Sequence, residues 1–355
     1  MTLLLAFSCV KEKEVIRPQE FNSVQIEPIF QDSTVSIRAI DFDDKYVYYG
    51  ASNHVGLRPT KNENDIDLTD YQISNVKVHS SEKFLHEDKP LAFRAIQHVN
   101  GNFFVLSVAN PAKLYKKSPD SIDFELVYEE IHEKVFYDAM EFWNAKEGIA
   151  IGDPTDSCMS IIITRDGGHT WTKLSCDQLP KAIDGEAAFA ASDSNIAIVG
   201  DHTWVATGGR ASRILYSADK GVNWTIYETP IVQGLTTNGI YSLDFYDDLN
   251  GFAIGGDYTR AADSSANKIR TRDGGKTWQL VAENRSPGYR SCVQYVPNGK
   301  ARELVAVGFK GIDYSNDAGD TWKHLSDEGF YTIRFIDDST AYAAGRGRIS
   351  KLTFR

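Results

Sequence analysis

The sequence Thr164-Arg-Asp-Gly-Gly-His-Thr-Trp171 is the first of four related eight-residue segments. The other three are Ser217-Ala-Asp-Lys-Gly-Val-Asn-Trp224, Thr271-Arg-Asp-Gly-Gly-Lys-Thr-Trp278 and Ser315-Asn-Asp-Ala-Gly-Asp-Thr-Trp322. They share the pattern [Ser/Thr]-x-Asp-x-Gly-x-[Thr/Asn]-Trp, and their tryptophans are 53, 54 and 44 residues apart. Repetition at this period is typical of β-propellers, in which each repeat forms one blade. The segments therefore predict an all-β fold.

The residue types of these segments suit a tight turn. Their Gly can adopt a positive φ without steric cost, and their Asp and first hydroxyl can accept hydrogen bonds from backbone N–H groups. Their Trp can bury a large ring against a neighbouring blade. Because a strand-like run precedes each segment and an alternating run follows it, we predict a hairpin turn between the third and fourth strands of a blade. We interpret the following residues as structural and not catalytic: Asp166, Gly168, Trp171, Asp219, Gly221, Trp224, Asp273, Gly275, Trp278, Asp317, Gly319 and Trp322.

The pairs of apolar runs that precede these turns allow the blades to be counted. First strands are predicted to begin near residues 36, 92, 136, 184, 240, 289 and 331, which gives seven four-stranded blades. Only ten residues follow Gly345, enough for a third strand of the last blade and no fourth. We expect the strand at 23–30 to complete that blade and close the ring, which would remove exposed sheet edges. Residues 23–355 are thus predicted to form one seven-bladed propeller.

The four segments resemble the Asp-box, or bacterial neuraminidase repeat. Over almost the whole globular length the chain resembles the photosystem II stability/assembly factor-like proteins, which are seven-bladed Asp-box propellers. That resemblance implies a non-catalytic propeller that binds a protein partner or assists assembly. The same boxes occur in sialidases and other Asp-box glycosidases, so the resemblance also leaves a glycoside hydrolase acting on extracellular glycans as an alternative.

Composition and charge exclude several classes of protein. The 355 residues are 42% hydrophobic and 25% charged, so the chain can bury a core and is not intrinsically disordered. Lys and Arg number 38 against 49 Asp and Glu, a net charge of −11, which argues against a general nucleic-acid binder. Four cysteines in this length exclude a disulfide-rich scaffold.

The N-terminus resembles the end of a bacterial lipoprotein signal. An apolar run ends in Ala6-Phe-Ser-Cys9, where Cys9 would be lipidated. We therefore predict a truncated signal at 1–9, a polar linker at 10–22 and a location in the bacterial cell envelope, with membrane contact only through the lipid anchor. The alternative is an ordinary hydrophobic N-terminus, since the basic region of a full signal is missing. We expect a monomer.

Ring order predicts where a ligand would bind. First strands begin, and second strands end, on one face of a propeller, which we call the ligand-side face; the Asp-box turns lie on the opposite face. A basic half of the ligand-side face is predicted from Arg38, His54, Arg94, Arg290, Lys310 and Arg346. An acidic half is predicted from Asp138, Asp153, Glu186, Asp201 and Asp257, with Tyr241 beside it. Such a split would orient a partner of complementary charge. The alternative is a set of solvated loop charges.

Two long loops are also predicted on this face, at 201–212 and 257–268. Long loops in compact domains are often functional. Trp204 falls in the first of them and is predicted to be an exposed contact anchor unless it covers the channel.

For the glycosidase alternative, Arg38, Arg94 and Arg290 would form an arginine triad, and Glu186 would face Tyr241. The sialidase motif [Phe/Tyr]-Arg-Ile-Pro is absent, since Phe93-Arg94-Ala95-Ile96 lacks the proline. The enzyme question therefore stays open at the level of sequence, with a binding protein preferred.

No cofactor is predicted, because the sequence has no dinucleotide fingerprint and no Cys-x-x-Cys. No metal site is predicted either, although a Ca²⁺ ion among Asp153, Asp201 and Asp257 is left as an open alternative. Cys158 and Cys176 fall on strands that flank one turn, where they either form a cross-strand disulfide or remain two thiols.

Overall fold

The computed structural model describes residues 17–60 and 80–355. The predicted lipidation site Cys9 and the polar loop near 62–70 lie outside these residues. Within them the helices and strands are all β-strands except a single 3₁₀ turn at Tyr258–Arg260. None of the described helices is long and apolar enough to cross a membrane.

Thirty strands lie in the described residues, and they are numbered β1 to β30 in chain order. Strands β1 to β10 are Val24–Phe42, Tyr46–Ala51, Val55–Pro59, Ser80–Glu82, Leu85–His86, Lys89–Pro90, Phe93–Val99, Asn102–Ser107, Ala112–Lys117 and Glu125–Glu130. Strands β11 to β20 are Tyr137–Phe142, Gly148–Gly152, Ser160–Thr164, Thr172–Lys173, Glu186–Ala187, Ile196–Val199, His202–Ala206, Gly208–Gly209, Arg213–Ser217 and Thr225–Glu228. Strands β21 to β30 are Asn238–Phe245, Gly251–Asp257, Lys268–Thr271, Gln279–Leu280, Cys292–Tyr295, Leu304–Gly308, Gly311–Ser315, Lys323–Ser326, Thr332–Phe335 and Thr340–Phe354.

The strands form antiparallel sheets arranged as a β-propeller. Four sheets have four strands each: β7 to β10, β11 to β14, β16-β17-β19-β20, and β25 to β28. Two sheets have six strands, in the orders β29-β30-β1-β2-β3-β4 and β15-β18-β21-β22-β23-β24. Strands β5 and β6 form a small separate hairpin. The all-β propeller predicted from the sequence is confirmed.

The described residues contain six larger sheets, one fewer than the seven predicted blades. The difference arises where the chain ends meet, because β1 and β30 are long continuous strands. The first part of β1 pairs with β30, from Val24 opposite Phe354 to Ser36 opposite Arg346. Its last part pairs with β2. One six-stranded sheet therefore contains both the first and the last predicted blade.

The first strands of successive sheets surround a central axis. Strands β1, β7, β11, β16, β21, β25 and β29 contact one another in this order, and β29 contacts β1. The core lies between neighbouring sheets, where apolar faces pack together. In one such layer Ile149 and Ile161 of the third sheet pack with Val205 and Leu215 of the next. Burial is thus shared among the sheets, as expected of a propeller.

The fourth predicted blade differs from the prediction in its strand positions. Its first strand was expected to start near 184, and a loop was expected at 201–212. In the structure the first strand is β16, Ile196–Val199, and residues 201–212 contain β17 and β18. The shift arises because the eight residues before β16 leave the sheet and cross the ring, as described below.

The end of the predicted linker packs against the propeller. Phe21 is buried between the rings of Tyr314 and Phe354, at centroid distances of 4.8 and 5.2 Å. Arg17 forms an ion pair with Glu303. Residues 17 to 22 are therefore anchored by apolar and ionic contacts.

Candidate binding face around a plugged channel

β-Bulges aim four of the predicted residues at the mouth of the central channel. The pairing register shifts between Ile37 and Ala39, and the extra residue there is Arg38. Equivalent shifts in the strands β7, β11 and β21 leave Arg94, Asp138 and Tyr241 as the extra residues. A bulge bends a strand and redirects its side chain. The same irregularity therefore places two arginines, an aspartate and a tyrosine at equivalent positions of the ligand-side face.

Residues 188–195, which we call the plug, cross the channel at this face. The guanidinium of Arg38 donates to the carbonyl oxygen of Ala191, and that of Arg94 donates to the carbonyl oxygen of Ala190, each over 3.3 Å. Both arginines thus reach from the first two sheets to a segment that belongs to the fourth predicted blade. Nothing in the local sequence of small residues signals this crossing, and sequence reasoning missed it.

Asp193 ties the plug to two further sheets. Its carboxylate accepts hydrogen bonds from the backbone N–H groups of Ile96 and Met140, both at 3.0 Å. Its own carbonyl oxygen accepts a 2.6 Å bond from Arg334. Burial raises the pKa of Asp193 to about 7, because the charged form is desolvated. The plug is therefore held by buried polar contacts.

Serines complete the attachment of the plug. Ser192 Oγ donates to the carbonyl of Ser291 over 2.6 Å, and Ser194 Oγ donates to Ser242 Oγ over 2.8 Å. The hydroxyl of Thr332 donates to the carbonyl of Ser192 over 2.9 Å. These bonds reach β21 and β29 and the residue just before β25. The plug is consequently bonded to first strands, or residues beside them, all round the axis.

Beneath the plug lies a cavity of about 410 Å³. Its wall includes the carboxyl groups of Glu141, Asp193 and Asp244, the guanidinium of Arg334 and the ring of Trp143. Burial raises the pKa of Glu141 to about 8 and that of Asp244 to about 6. Three carboxyl groups thus face one guanidinium, and near neutral pH the protonated form is favoured for Glu141, whereas Asp244 is mainly ionised.

An aromatic surface adjoins the plug on the ligand-side face. Phe189 stacks on Tyr241 with ring centroids 4.0 Å apart, and Tyr241 meets Tyr289 edge-on at 4.8 Å. Tyr258 and Phe309 continue this surface and are 50% and 39% exposed. Large apolar rings that remain open to solvent beside charged groups are candidates for contact with a partner.

Several predicted face residues already have internal partners. Arg290 forms a buried ion pair with Asp313, with nitrogen–oxygen distances of 2.5 and 2.6 Å. Glu186 is buried against Arg213 at 2.5 Å. These side chains hold the loops in place, so the arginine triad proposed for a sialidase is not assembled. The carboxylate of Glu186 also accepts from Thr207, which leaves it committed within the fold.

His54 and Asp257 also have partners within the face. His54 is buried between Tyr49 and Asn53, at 3.1 and 2.6 Å, and burial lowers its pKa. Asp257 caps the short 3₁₀ turn by accepting from the backbone N–H of Thr259 at 2.9 Å. Neither side chain offers the free charge that the sequence predicted.

Lys310 and Arg346 are exposed, as a basic rim requires. They lie in the connection between β26 and β27 and within β30, respectively. Together with Arg38 and Arg94 they remain candidates for the basic half of the face.

The predicted positions of Asp201 and Trp204 are wrong. Asp201 lies in the turn between the first and second strands, on the Asp-box face, and pairs with Lys220 at 3.4 Å. Trp204 is fully buried in β17, where it stacks on Phe245 at 3.7 Å and donates to the carbonyl of Gly274. Both errors follow from the displaced strands of the fourth predicted blade. Asp201 therefore cannot share a Ca²⁺ site with Asp153 and Asp257, and the described residues hold no cluster of three metal-ligating side chains.

Two carboxyl groups remain on the ligand-side face without an internal cation. Asp138 is 0% exposed, and in the described part of the chain neither of its carboxyl oxygens has a hydrogen-bond partner of regular geometry, although the backbone N–H of Ala190 in the plug is close enough to lower its pKa. Asp153 accepts a 2.8 Å bond from the backbone N–H of Ala188, in the plug. Burial raises the pKa of both groups, to about 6 for Asp153.

The four turns of the repeated segments, called Asp-box turns here for the family that they resemble, share one hydrogen-bond pattern on the opposite face. The first hydroxyl accepts from the N–H of the Gly, and the Asp carboxylate accepts from the N–H four residues later, all at 2.8–2.9 Å. The indole N–H donates to the carbonyl of the same Gly in the turns of Trp224, Trp278 and Trp322. Trp171 is buried, and its indole nitrogen lacks a partner in the described residues. These carboxylates therefore stabilise the turns through hydrogen bonds to the backbone.

Cys158 and Cys176 lie on the outer side of the third sheet. Their sulfur atoms are 2.04 Å apart, a disulfide that spans 18 residues of chain. Cys292 is a buried free thiol.

The fold is similar to that of solved propeller proteins. The chain superposes on YCF48 bound to a D1 peptide with a TM-score of 0.63 and 12% identity, over 93% of this chain and 95% of that one. It superposes on YCF48 from Cyanidioschyzon merolae with a TM-score of 0.60 and 13% identity, over 94% and 98%. The Pan2 WD40 domain of Neurospora crassa gives 0.59 and 13%, over 90% and 89%. At these identities the likeness concerns the fold. No protein-family profile matches the chain, and no curated protein matches its sequence.

Proposed function

We propose that this propeller is a non-catalytic binding protein whose ligand-side face takes a segment of a protein partner. The observation that carries the proposal is the neighbouring pair Arg38 and Arg94 beside an exposed aromatic surface. The fold supports a role of this kind, since one similar propeller, YCF48, was solved with a D1 peptide bound.

The two guanidinium groups are available for an anionic ligand. Neither Arg38 nor Arg94 forms an ion pair with any described residue, and each donates a single long bond to the plug. Burial, and then the charge of Arg38, lower the pKa of Arg94. A carboxylate from a partner would compensate both charges and could accept bidentate bonds. The plug holds the two groups in place before binding, which reduces the entropy lost on association.

The aromatic residues supply the apolar part of the same surface. Arg38 lies over the ring of Tyr331 at 4.2 Å, so the charged and aromatic groups are continuous. Tyr258 and Phe309 are exposed at its edge. Aromatic and arginine side chains are the residues that most often dominate binding energy at protein interfaces. A peptide with an acidic residue and an apolar residue fits this arrangement.

We also propose that the protein comprises seven blades with a closed ring. The six-stranded sheet at the chain ends would then contain two blades. One of them would be formed by β29, by the part of β30 that pairs with β29, by the part of β30 that pairs with β1, and by the start of β1. The pairing of Val24 with Phe354 supports closure. The sequence of contacts among seven first strands supports the count.

A location in the cell envelope is part of this proposal. The signal-like residues before Cys9 support it. The disulfide between Cys158 and Cys176 is consistent with an oxidising compartment. Cell fractionation with a tagged chain, and mass analysis of Cys9, would test it; a chain found in the cytosol without lipid would contradict it.

The binding proposal is tested by affinity capture on a peptide array prepared from envelope proteins. We expect the wild-type chain to retain acidic, aromatic-containing peptides and the variant Arg38→Glu/Arg94→Glu to lose them at least tenfold. The matched control is Arg272→Glu, an exposed arginine of an Asp-box turn on the opposite face. Equal retention by all three proteins would contradict the proposal.

A further inference from the structure

We propose that Asp138 and Asp153 form a cation subsite on the ligand-side face, which accepts the ammonium or guanidinium group of a basic residue in the protein partner. This inference rests on the proposed binding function and assigns the chemistry of one part of the same face. The subsite lies on the third sheet, next to the sheets that carry Arg38 and Arg94.

The two carboxyl groups lie at one end of the same sheet. Asp138 is the bulged residue at the start of β11, and Asp153 follows the end of β12, the strand paired with it. Asp138 is fully buried and both of its carboxyl oxygens lack a partner among the described residues. Asp153 is only partly buried, so a ligand can reach it from solvent, and it is close enough to Asp138 to raise the pKa of that group.

Two other buried acidic side chains near this face have an internal cation. Glu186 pairs with Arg213, and Asp313 pairs with Arg290. The Asp138–Asp153 pair has no such partner within 4 Å in the described chain. Burying a carboxylate without a counter-charge costs free energy. At Glu186 and Asp313 an arginine supplies that counter-charge.

The electrostatics of the pair favour a cation. Burial, and next the neighbouring Asp153, hold the pKa of Asp138 well above its usual range, while Arg94 acts in the opposite direction. Burial raises the pKa of Asp153, and its bond from Ala188 partly offsets this. The charge of Arg94 therefore acts on Asp138, and no cation lowers the pKa of Asp153. When both carboxyl groups are ionised, the positive charge of Arg94 balances one of them, and one negative charge is left for a ligand to compensate.

The chemistry of the site favours an organic cation over a metal ion. Ca²⁺ takes six to eight oxygen ligands, and no third metal-ligating side chain joins this pair in the described residues. A lysine or arginine side chain needs only one or two acceptors and can lie along the apolar surface with its methylene groups. Because Arg94 is on the next sheet, the partner segment is expected to carry a basic residue close to its acidic one.

The test uses the full-length protein and a small probe, Nα-acetyl-lysine methylamide, with the uncharged Nα-acetyl-norleucine methylamide as its matched control. Binding is followed by NMR through the amide resonance of Ala188, whose N–H donates to Asp153. We expect saturable shifts with the lysine probe, with a dissociation constant in the millimolar range for a single contact, about −4 kcal/mol. Equal shifts with the norleucine probe would overturn the proposal.

Two substitutions separate binding from folding. Asp153→Asn keeps an oxygen that can accept from Ala188, and we expect it to weaken binding of the lysine probe at least tenfold. Asp201→Asn, the same change on the opposite face, should leave binding unchanged. A wild-type affinity in Asp153→Asn would overturn the proposal.

The pH dependence of lysine-probe binding tests whether the charge of Asp153 takes part, because a purely structural role of this residue would not produce it. Protonation removes the charge of Asp153, so binding of the lysine probe should weaken as the pH falls from 7.5 to 5. In Asp153→Asn the group that titrates is gone, so the remaining binding should change less with pH than in the wild type. The same pH profile for both proteins would overturn the proposal.

The failure of this inference can be told apart from failure of the proposed function. If the lysine probe binds but no array peptide is retained, the cation subsite holds and the peptide-binding role fails. If peptides are retained through Arg38 and Arg94 but the lysine probe does not bind, the role holds and the subsite is overturned.

Discussion

The guanidinium of Arg334 donates a 2.6 Å hydrogen bond to the carbonyl oxygen of Asp193, on the axis of the propeller. Arg334 lies on β29, in the six-stranded sheet at the chain ends, whereas Asp193 belongs to the plug. The Asp193 carboxylate meanwhile receives bonds from the second and third sheets. One residue of a short irregular segment therefore links three sheets that are far apart in sequence.

The first prediction concerns this link. Asp193→Ala removes the acceptor for the buried N–H groups of Ile96 and Met140, and each unsatisfied group costs about 1–3 kcal/mol. We expect the free energy of unfolding to fall by about 2–4 kcal/mol, measured by urea denaturation. Asp120→Ala, at an exposed turn, is the control and should change stability by less than about 0.5 kcal/mol. Equal effects of the two changes would contradict this account of the plug.

The second prediction concerns the pH dependence of stability. Burial raises the pKa of Glu141 to about 8, so its protonated form is favoured in the folded protein. The stability it contributes is therefore complete at pH below its unfolded pKa and is lost as the pH rises through 8. Glu141→Gln mimics the protonated form. We expect this variant to melt higher than the wild type at pH 8.5 and to show little difference at pH 5.

Differential scanning calorimetry at the two pH values measures this effect. Asp120→Asn serves as the control, since an exposed carboxyl group should not change the pH profile. A variant Glu141→Gln that melts below the wild type at pH 8.5 would show that the ionised carboxylate is stabilising in the cavity.

The third prediction compares two glycines with positive φ. Gly168 has a φ of 75°, and a Cβ there would lie 2.2 Å from Cε1 of Phe104. Gly200 has a φ of 60°, and a Cβ there would meet nothing within 4 Å. Gly200→Ala should therefore cost only the backbone strain, about 1–2 kcal/mol. Gly168→Ala should cost clearly more, because the ring of Phe104 must also move. Equal losses in urea denaturation would contradict this packing.

Local patterns account for the parts of the fold that the sequence predicts correctly. Strand-like runs precede the turns that begin at Thr164 and Thr271, and the hydroxyl groups of these two residues bond to backbone N–H groups only four positions further along the chain. Such features depend on neighbours in the chain, so they can be recognised one segment at a time. The positions of Arg38 and Arg94 at the channel mouth follow from the same regular placement of first strands.

Long-range contacts account for the parts that the sequence did not predict. Ala191 meets Arg38 across 153 positions of the chain, and its small side chain carries no signal of that contact. The plug displaced the strands of its own blade, which placed Trp204 in a strand and Asp201 on the other face. Arg290 looked free because its partner, Asp313, is fixed only by the pairing of β25, β26 and β27.

The fourth prediction concerns the disulfide. The bond between Cys158 and Cys176 closes a loop of 18 residues, and the resulting restriction of the unfolded chain stabilises the fold by about 3 kcal/mol. Cys158→Ser/Cys176→Ser should therefore lower the melting temperature, and reductant should lower that of the wild type but not of the variant. Peptide mapping under non-reducing conditions checks the bond directly. A wild-type melting temperature that is insensitive to reductant would contradict a stabilising role.

The last prediction uses Trp204 to separate stability from binding. Trp204 is buried, stacks on Phe245 at 3.7 Å and donates a 2.8 Å bond to the carbonyl of Gly274. Trp204→Phe keeps a ring for stacking but removes the indole N–H, which leaves a buried carbonyl unpaired at a cost of about 1–3 kcal/mol. The free energy of unfolding should fall by this amount in urea denaturation. Peptide capture by the folded variant should equal that of the wild type, because Trp204 lies towards the Asp-box turns. Selective loss of capture with unchanged stability would instead make Trp204 a contact residue and would place the binding surface on the Asp-box face.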